Sequence, residues 1–167
     1  ETKLLYIMKQ FDLNRTLARI ILAHEICHAL QDQQYDILSM PIADKTNNDG
    51  QMASQAVVEG DATILMQDYA IEMLTPQKLT ELLDVFFIDQ RALNRAPYFL
   101  QRQLVFPYLV GAEFVQAITL SQGDQFREEA LRNPPRSTEQ ILHPDKFTSR
   151  EFDPPTSITL PDLSSKL

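Results

Sequence analysis

The chemically informative residues of this sequence lie in one short run, residues 20–30, which reads IILAHEICHAL. Its three polar residues are His24, Glu25 and His28, and their aliphatic neighbours predict a buried helix. Buried imidazoles and a buried carboxylate are costly unless something satisfies them, and a divalent cation does so. Because His24 and His28 are related as i and i+4, both imidazoles lie on one helix face and can reach one metal ion.

The spacing is the HExxH pattern, in which two histidines bind a metal and the glutamate between them handles protons. Glu25 is therefore predicted to be the general base. Zinc is the favoured ion, because imidazoles suit it and the single cysteine, Cys27, excludes a thiolate cluster. Cys27 lies about 100° round the helix from His28 and is interpreted as a small core residue. The alternative for the motif is a histidine pair hydrogen-bonded within the core, without a metal.

A catalytic zinc site needs a third protein ligand and one open position. Only one histidine remains, so an acid of the next predicted helix is the economical choice. Glu59 lies on an apolar stripe of that helix, where a carboxylate needs a partner, and we predict it as the third ligand. Asp61 is the second choice, since it is turned by about 200° from Glu59, toward solvent or other elements. The other interpretation of Glu59 is a core acid paired with a buried histidine or arginine.

Helical patterns dominate the chain, so we predict a mainly α fold with little or no β-sheet. The alternation within residues 1–10 also permits one short strand, and residues 39–50 are rich in turn formers and predict a loop. Ser137 to Gln140 have capping-box spacing and predict a short helix. The predicted helices run from a cap at Asn14 or Thr16 to about Tyr35, then over about residues 52–74, 75–94, 98–120 and 124–132.

Two apolar segments, one over residues 82–87 and one over residues 99–109, are predicted to pack into the core of this bundle. Six of the ten prolines lie between Pro134 and Pro161, so the composition changes toward the end of the chain. We predict a single helical domain over residues 1–153 and an extended, proline-rich tail over residues 154–167.

The overall composition excludes several classes of protein. The chain has 167 residues, 44% of them hydrophobic and 23% charged, which suits one domain with a core. A net charge of −8 argues against binding to nucleic acid or to an anionic membrane surface. The sequence has no run of 18 apolar residues, so no transmembrane span is predicted. The chain starts at Glu1 without a signal-peptide pattern, which we interpret as a processed or trimmed product whose targeting segment, if any, is gone. This interpretation favours a secreted or extracytoplasmic location but does not assign one.

The motif region resembles a known family. The segment AHEICHALQDQQYD is similar to the active-site helix of bacterial gluzincin-type zinc metallopeptidases, and VVEGDAT is similar to their glutamate-bearing second helix. The likeness covers residues 17–74, with a weaker likeness at PPRSTEQILHPDKF. It implies a zincin-like domain that hydrolyses peptide bonds, with His24, His28 and Glu59 as zinc ligands and Glu25 as the general base.

The sequence departs from the gluzincin pattern in two places. Thr63 stands where many gluzincins have an aspartate that supports a ligand histidine, so Asp32 is predicted to take that role or to be a surface acid at the helix end. The second departure is that only 23 residues precede His24, which leaves room for at most one strand of the sheet that binds peptides in gluzincins.

The reaction also needs a donor for the developing oxyanion. His143 is predicted for this role, because it is the only other histidine and its backbone is restrained by the following Pro144. Tyr98 and Tyr108 are the rival donors, and a surface position is the alternative for His143. We therefore predict a zinc-dependent peptidase that acts on a peptide or protein substrate. The competing class is an inactive binding or scaffold protein that retains a structural zinc.

Overall fold

The computed structural model of the chain describes residues 4–9, 11–43, 46–73, 75 and 93–150. This part is mainly helical and contains no strand, which confirms the prediction of a mainly α fold. The short strand considered for the first ten residues is not formed over residues 4–9. The helices are α1 (Thr16–Tyr35), α2 (Asn48–Met73), α3 (Tyr98–Gln122), α4 (Asp124–Arg132), α5 (Thr138–Leu142) and α6 (Pro144–Thr148).

The helix predictions agree with these bounds to within two residues for α1, α3 and α4. α2 starts earlier than predicted, because the side-chain oxygen of Asn47 accepts a hydrogen bond from the backbone N–H of Gly50 at 3.0 Å and caps the helix. The predicted loop before it contains two 3₁₀ turns, Ile37–Ser39 and Pro41–Ala43. Three predicted features lie largely or wholly outside the described residues: the helix over 75–94, the apolar segment over 82–87 and the tail over 154–167.

The capping-box prediction at α5 is only partly correct. Ser137 is the N-cap residue, but its buried hydroxyl has no hydrogen-bond partner in the described part of the chain. Gln140 instead accepts a hydrogen bond from the backbone N–H of Arg136 at 2.8 Å. Thr138 donates its hydroxyl and its N–H to the carboxylate of Asp49. These bonds attach α5 to the first turn of α2.

The core lies between α2 and α3, which cross in close contact at Gly60 and Gly111. A Cβ atom on either glycine would overlap with the backbone of the other helix. Glu59 precedes Gly60, so this crossing determines how deep the predicted third ligand lies. The fully buried side chains around the crossing belong to Ala53, Ala56, Val57, Phe114, Val115 and Ile118.

The prediction that the motif helix is buried on nearly every side is wrong. Among the described elements α1 packs mainly on α2, and several of its apolar side chains stay uncovered. Ile21, Ile26 and Leu30 are exposed by 38%, 45% and 55%. The apolar composition of a helix shows that it can be buried, but the number of neighbouring elements decides how many of its faces are covered.

The first half of α3 also differs from the prediction that it packs into the core. Phe99, Leu104 and Leu109 are all more than half exposed, whereas the second half of the helix supplies core residues. α3 is also, among the described helices, the one that is long and apolar enough to cross a membrane by length and composition. This is weak evidence for a span, because helices that pack inside a core meet the same criteria.

Candidate metal centre

Two helices bring the three predicted metal ligands together. α1 supplies His24 and His28 from successive turns, and α2 supplies Glu59. The Oε2 atom of Glu59 lies 3.1 Å from Nε2 of His24 and 3.3 Å from Nε2 of His28. The two Nε2 atoms are 3.0 Å apart. Each residue therefore offers one ligand atom to the same small volume.

These separations fit a tetrahedral metal ion. Zinc bonds to nitrogen and oxygen of about 2.0–2.1 Å place neighbouring ligand atoms about 3.3 Å apart on a tetrahedron. The observed separations of 3.0–3.3 Å are close to that edge length. The same separations are also hydrogen-bond lengths, so the cluster can be held by a shared proton when no metal is bound. Within the described residues, no fourth histidine, cysteine or acid joins these three.

The cluster has strong internal electrostatics. Burial alone would raise the pKa of Glu59, but hydrogen bonds from His24 and His28 outweigh it and lower the pKa to about 2. Burial would lower the pKa of His28, yet its hydrogen bonds to Glu59 and Gln31 outweigh that effect and raise the pKa. Glu59 is thus an anion at neutral pH, as a ligand of a cation must be.

Glu25, the predicted general base, lies on the exposed side of α1 beside the cluster. Its charge contributes to raising the pKa values of His28 and Tyr108, so its carboxylate lies near both groups. No hydrogen bond or ion pair ties the Glu25 carboxylate down in the described part of the chain. The residue is therefore accessible to solvent and to a substrate.

Tyr108 lies at the metal centre, whereas Tyr98, the other rival donor, is 74% exposed at the start of α3. The Tyr108 ring stacks on the imidazole of His24, with the centroids 6.1 Å apart and the planes inclined by 30°. Partial burial is the largest cause of its raised pKa, and the charge and hydrogen bonding of Glu59 add to it. The Tyr108 hydroxyl thus faces the same carboxylate as the two imidazoles.

His143 lies between α5 and α6, with its side chain 56% exposed. Its Nε2 atom is 3.6 Å from a carboxylate oxygen of Glu139. No hydrogen bond, ion pair or ring contact connects His143 with the ligand cluster within the described residues. The role of His143 as oxyanion donor stays a prediction.

A second set of polar residues lies behind the cluster. The side-chain oxygen of Gln31 is 2.8 Å from Nδ1 of His28, and the side-chain nitrogen of Gln31 donates to Asp61 at 2.8 Å. Asp61 also accepts a hydrogen bond from the guanidinium of Arg127 on α4. Gln31 thus supports His28 in the structure, and the supporting role of Asp32 stays a prediction. The hydroxyl of Thr63 is buried without a hydrogen-bond partner in the described part.

The sequence predicts that Asp61 faces either solvent or other elements of the fold, and only the second of these alternatives is correct. Asp61 is turned away from the ligand cluster, yet it is only 3% exposed, because α4 covers that side of α2 and brings Arg127 against it. One alternative interpretation of Glu59 is a core acid paired with an arginine. The structure has such a pair at Asp61, whose partner is Arg127. Sequence reasoning did not identify Gln31, although its i+3 position places it on the same helix face as His28.

Cys27 is a core residue, as predicted. It is 5% exposed and lies 3.8 Å from a carboxylate oxygen of Asp61. Burial is the main cause that raises the pKa of the Cys27 thiol to about 11, and the charge of Asp61 adds to it. A thiol that stays protonated at neutral pH is a poor nucleophile and a poor metal ligand.

Comparisons with protein-family models, with curated proteins and with solved structures found no match to this chain. The resemblance to gluzincins therefore rests on the HExxH and EGDA segments of the sequence.

Proposed function

We propose that the protein is a zinc-dependent peptidase that hydrolyses peptide bonds with Glu25 as the general base. The observation that carries this proposal is the convergence of His24, His28 and Glu59, whose ligand atoms are separated by 3.0–3.3 Å. These atoms would hold the ion. A bound zinc would supply a Lewis acid and lower the pKa of a water molecule toward neutrality.

The residues of the chain supply the remaining steps. Glu25 is exposed and free of other bonds among the described residues, so its carboxylate can take a proton from the attacking water and give it to the leaving amine. The Tyr108 hydroxyl, next to Glu59, can donate a hydrogen bond to the developing oxyanion. A tetrahedral site with three protein ligands has one open position, whereas structural zinc sites are closed by four.

The choice of a peptide bond rests on the resemblance of residues 17–74 to gluzincins. It is supported by apolar side chains beside the metal centre. Ile21 lies one helical turn before His24 and is 38% exposed, and Leu104 lies one turn before Tyr108 and is 61% exposed. Exposed apolar side chains of this kind can receive apolar side chains of an extended peptide.

The test is a metal analysis coupled to a hydrolysis assay. We expect about one zinc per chain after purification without chelators, and cleavage of a mixed library of quenched fluorescent peptides. Glu25→Gln should keep the zinc and abolish cleavage, because the carboxylate handles protons and does not bind the metal. Glu72→Gln, an exposed glutamate at the end of α2, is the matched control and should behave as wild type.

Each outcome has a defined meaning. Failure to take up zinc, even when it is added to the metal-free protein, contradicts the metal site. Full cleavage by pure Glu25→Gln contradicts the assigned base. Stoichiometric zinc without cleavage of any peptide in the library contradicts the peptidase and favours the scaffold alternative.

A further inference from the structure

The side-chain amide of Gln31 can adopt only one orientation. Gln31 is 3% exposed, and its Nε2 atom lies 3.1 Å from the carbonyl oxygen of Val58 and 2.8 Å from Oδ2 of Asp61. A carbonyl oxygen and a carboxylate oxygen are acceptors only, so the NH₂ group of the amide must face them. The Oε1 atom of Gln31 must then face His28.

This orientation determines where the proton of His28 lies. Oε1 of Gln31 is 2.8 Å from Nδ1 of His28, and an amide oxygen cannot donate a hydrogen bond. Nδ1 of His28 must therefore carry the hydrogen. In the neutral imidazole, the lone pair is then on Nε2, which is the atom that faces Glu59 at 3.3 Å.

Arg127 completes this chain of hydrogen bonds. Oδ2 of Asp61 accepts the hydrogen bond from the Nε2 atom of Gln31, which is 2.8 Å away. The guanidinium of Arg127 donates to Oδ1 of Asp61 and, because a guanidinium is a donor only, this carboxyl oxygen acts as an acceptor there. Arg127 and the amide nitrogen of Gln31 thus both donate to Asp61, and Nδ1 of His28 donates to the amide oxygen of Gln31.

We propose that Gln31 and Asp61 are positioning residues for the metal centre: through the hydrogen bond to Nδ1 they hold His28 in the tautomer and ring orientation that direct its Nε2 lone pair to the ion. The proposal rests on the proposed zinc site. His24 provides an internal comparison, because its buried Nδ1 atom has no hydrogen-bond partner in the described residues. Among the described residues, a hydrogen bond at Nδ1 thus orients His28, whereas the ring of His24 stacks on Tyr108.

The first experiment uses metal-free protein labelled with ¹⁵N histidine. Long-range ¹H–¹⁵N spectra distinguish a protonated from an unprotonated ring nitrogen, and they are recorded at increasing pH until the imidazole signals no longer change. Wild-type His28 should have its hydrogen on Nδ1. Gln31→Met keeps the size of the side chain but removes the acceptor, so His28 should become a mixture of tautomers. Gln33→Met, at an exposed position of α1, is the control.

The second experiment measures zinc affinity by chelator competition. Gln31→Met and Asp61→Asn should each weaken zinc binding by about 10- to 100-fold, the usual effect of losing support for a ligand histidine. Gln33→Met should bind zinc as wild type does.

The outcomes separate this proposal from the proposed function. A wild-type His28 with its hydrogen on Nε2 overturns the positioning role without any variant, even if Gln31→Met fails to fold. Unchanged zinc affinity and an unchanged His28 tautomer in folded Gln31→Met also overturn it. A wild-type protein that has the Nδ1–H tautomer but binds no zinc instead contradicts the proposed function.

Discussion

Gly60 of α2 and Gly111 of α3 meet with no space for a side chain on either residue. This contact lies directly after Glu59 in α2 and three residues after Tyr108 in α3. The crossing of the two helices thus places both residues against the imidazoles of α1. The geometry of the candidate metal centre therefore depends on this glycine pair as well as on the ligand residues themselves.

Gly111→Ala is therefore expected to destabilise the protein and to weaken metal binding. The new methyl group would overlap with the backbone of Ala56, which cannot move aside as a flexible side chain could. Overpacking of this kind costs about 1–3 kcal/mol, against a gain of about 1 kcal/mol from replacing glycine inside a helix. Urea unfolding of the metal-free variant measures the net loss. Gln116→Ala, an exposed change in the same helix, should cause no loss, and equal stabilities would contradict the role of the crossing.

Replacement of Glu59 tests the ligand set directly. Glu59→Ala removes one of three ligand atoms and should lower zinc affinity by about 100-fold or more, beyond the effect of losing a supporting residue. Chelator competition with the purified protein measures the change. Asp68→Ala, an exposed acid further along α2, should leave the affinity unchanged. If Asp61→Ala removes zinc and Glu59→Ala does not, the ligand on α2 has been assigned to the wrong acid.

The low pKa of Glu59 predicts how the stability of the metal-free protein depends on pH. The pKa falls from 4.5 to about 2 on folding, so between these values the unfolded chain binds more protons than the folded one. The stability contributed by Glu59 is thus complete above about pH 4.5 and is lost as the pH falls toward 2. Urea unfolding in the presence of a chelator should show a shallower loss over this window for Glu59→Gln than for wild type.

The contribution of His28 to stability changes with pH in the opposite direction to that of Glu59. Its pKa is raised in the folded state, so the stability that it contributes is present at low pH and is lost as the pH rises through that pKa. The effects of Glu59 and His28 on stability are separated by measuring urea unfolding below about pH 4.5 and, independently, in the neutral pH range.

For the Glu59 prediction, Glu72→Gln serves as the control for an exposed glutamate. A Glu59→Gln variant whose stability falls below pH 4.5 with the same slope as wild type would contradict the pairing of Glu59 with the histidines.

The local part of the candidate site could be predicted from the sequence. The i, i+4 spacing of His24 and His28 determines their common face on any helix, and the apolar stripe around Glu59 marked it as an acid that needs a partner. Both arguments depend only on helix geometry and on the cost of burying a charge. They remain valid whatever packs around the two helices.

The positions that could not be predicted depend on contacts between distant segments. Arg127 lies 66 residues after Asp61 in the sequence, and only the packing of α4 against α2 brings them together. Without that contact, a rotation of about 200° indicates that Asp61 points away from Glu59 but not what it meets there. The exposure of Ile21 and Leu30 was missed for the same reason, since periodicity does not count the neighbouring helices.

Tyr108 and His143 are the two candidates for the group that stabilises the oxyanion, and the contacts described here favour Tyr108. Its ring stacks on His24 and its hydroxyl faces Glu59, whereas His143 contacts Glu139 on the surface. Tyr108→Phe keeps the ring and removes only the hydroxyl, so it should lower kcat by about 100-fold while zinc content and stacking are retained. Loss of one oxyanion donor affects the transition state more than substrate binding, so KM should change little.

His143→Ala is the matched experiment for the sequence-based prediction. If His143 is the donor, this variant should lose about 100-fold in kcat with its zinc content unchanged, and Tyr108→Phe should retain near wild-type turnover. We expect the reverse, because a half-exposed imidazole beside the Glu139 carboxylate is oriented by that acid and not by the cluster. Assays of both variants and of the double variant, each with measured zinc content, decide between them. Comparable turnover by Tyr108→Phe and wild type would contradict the role assigned to the Tyr108 hydroxyl.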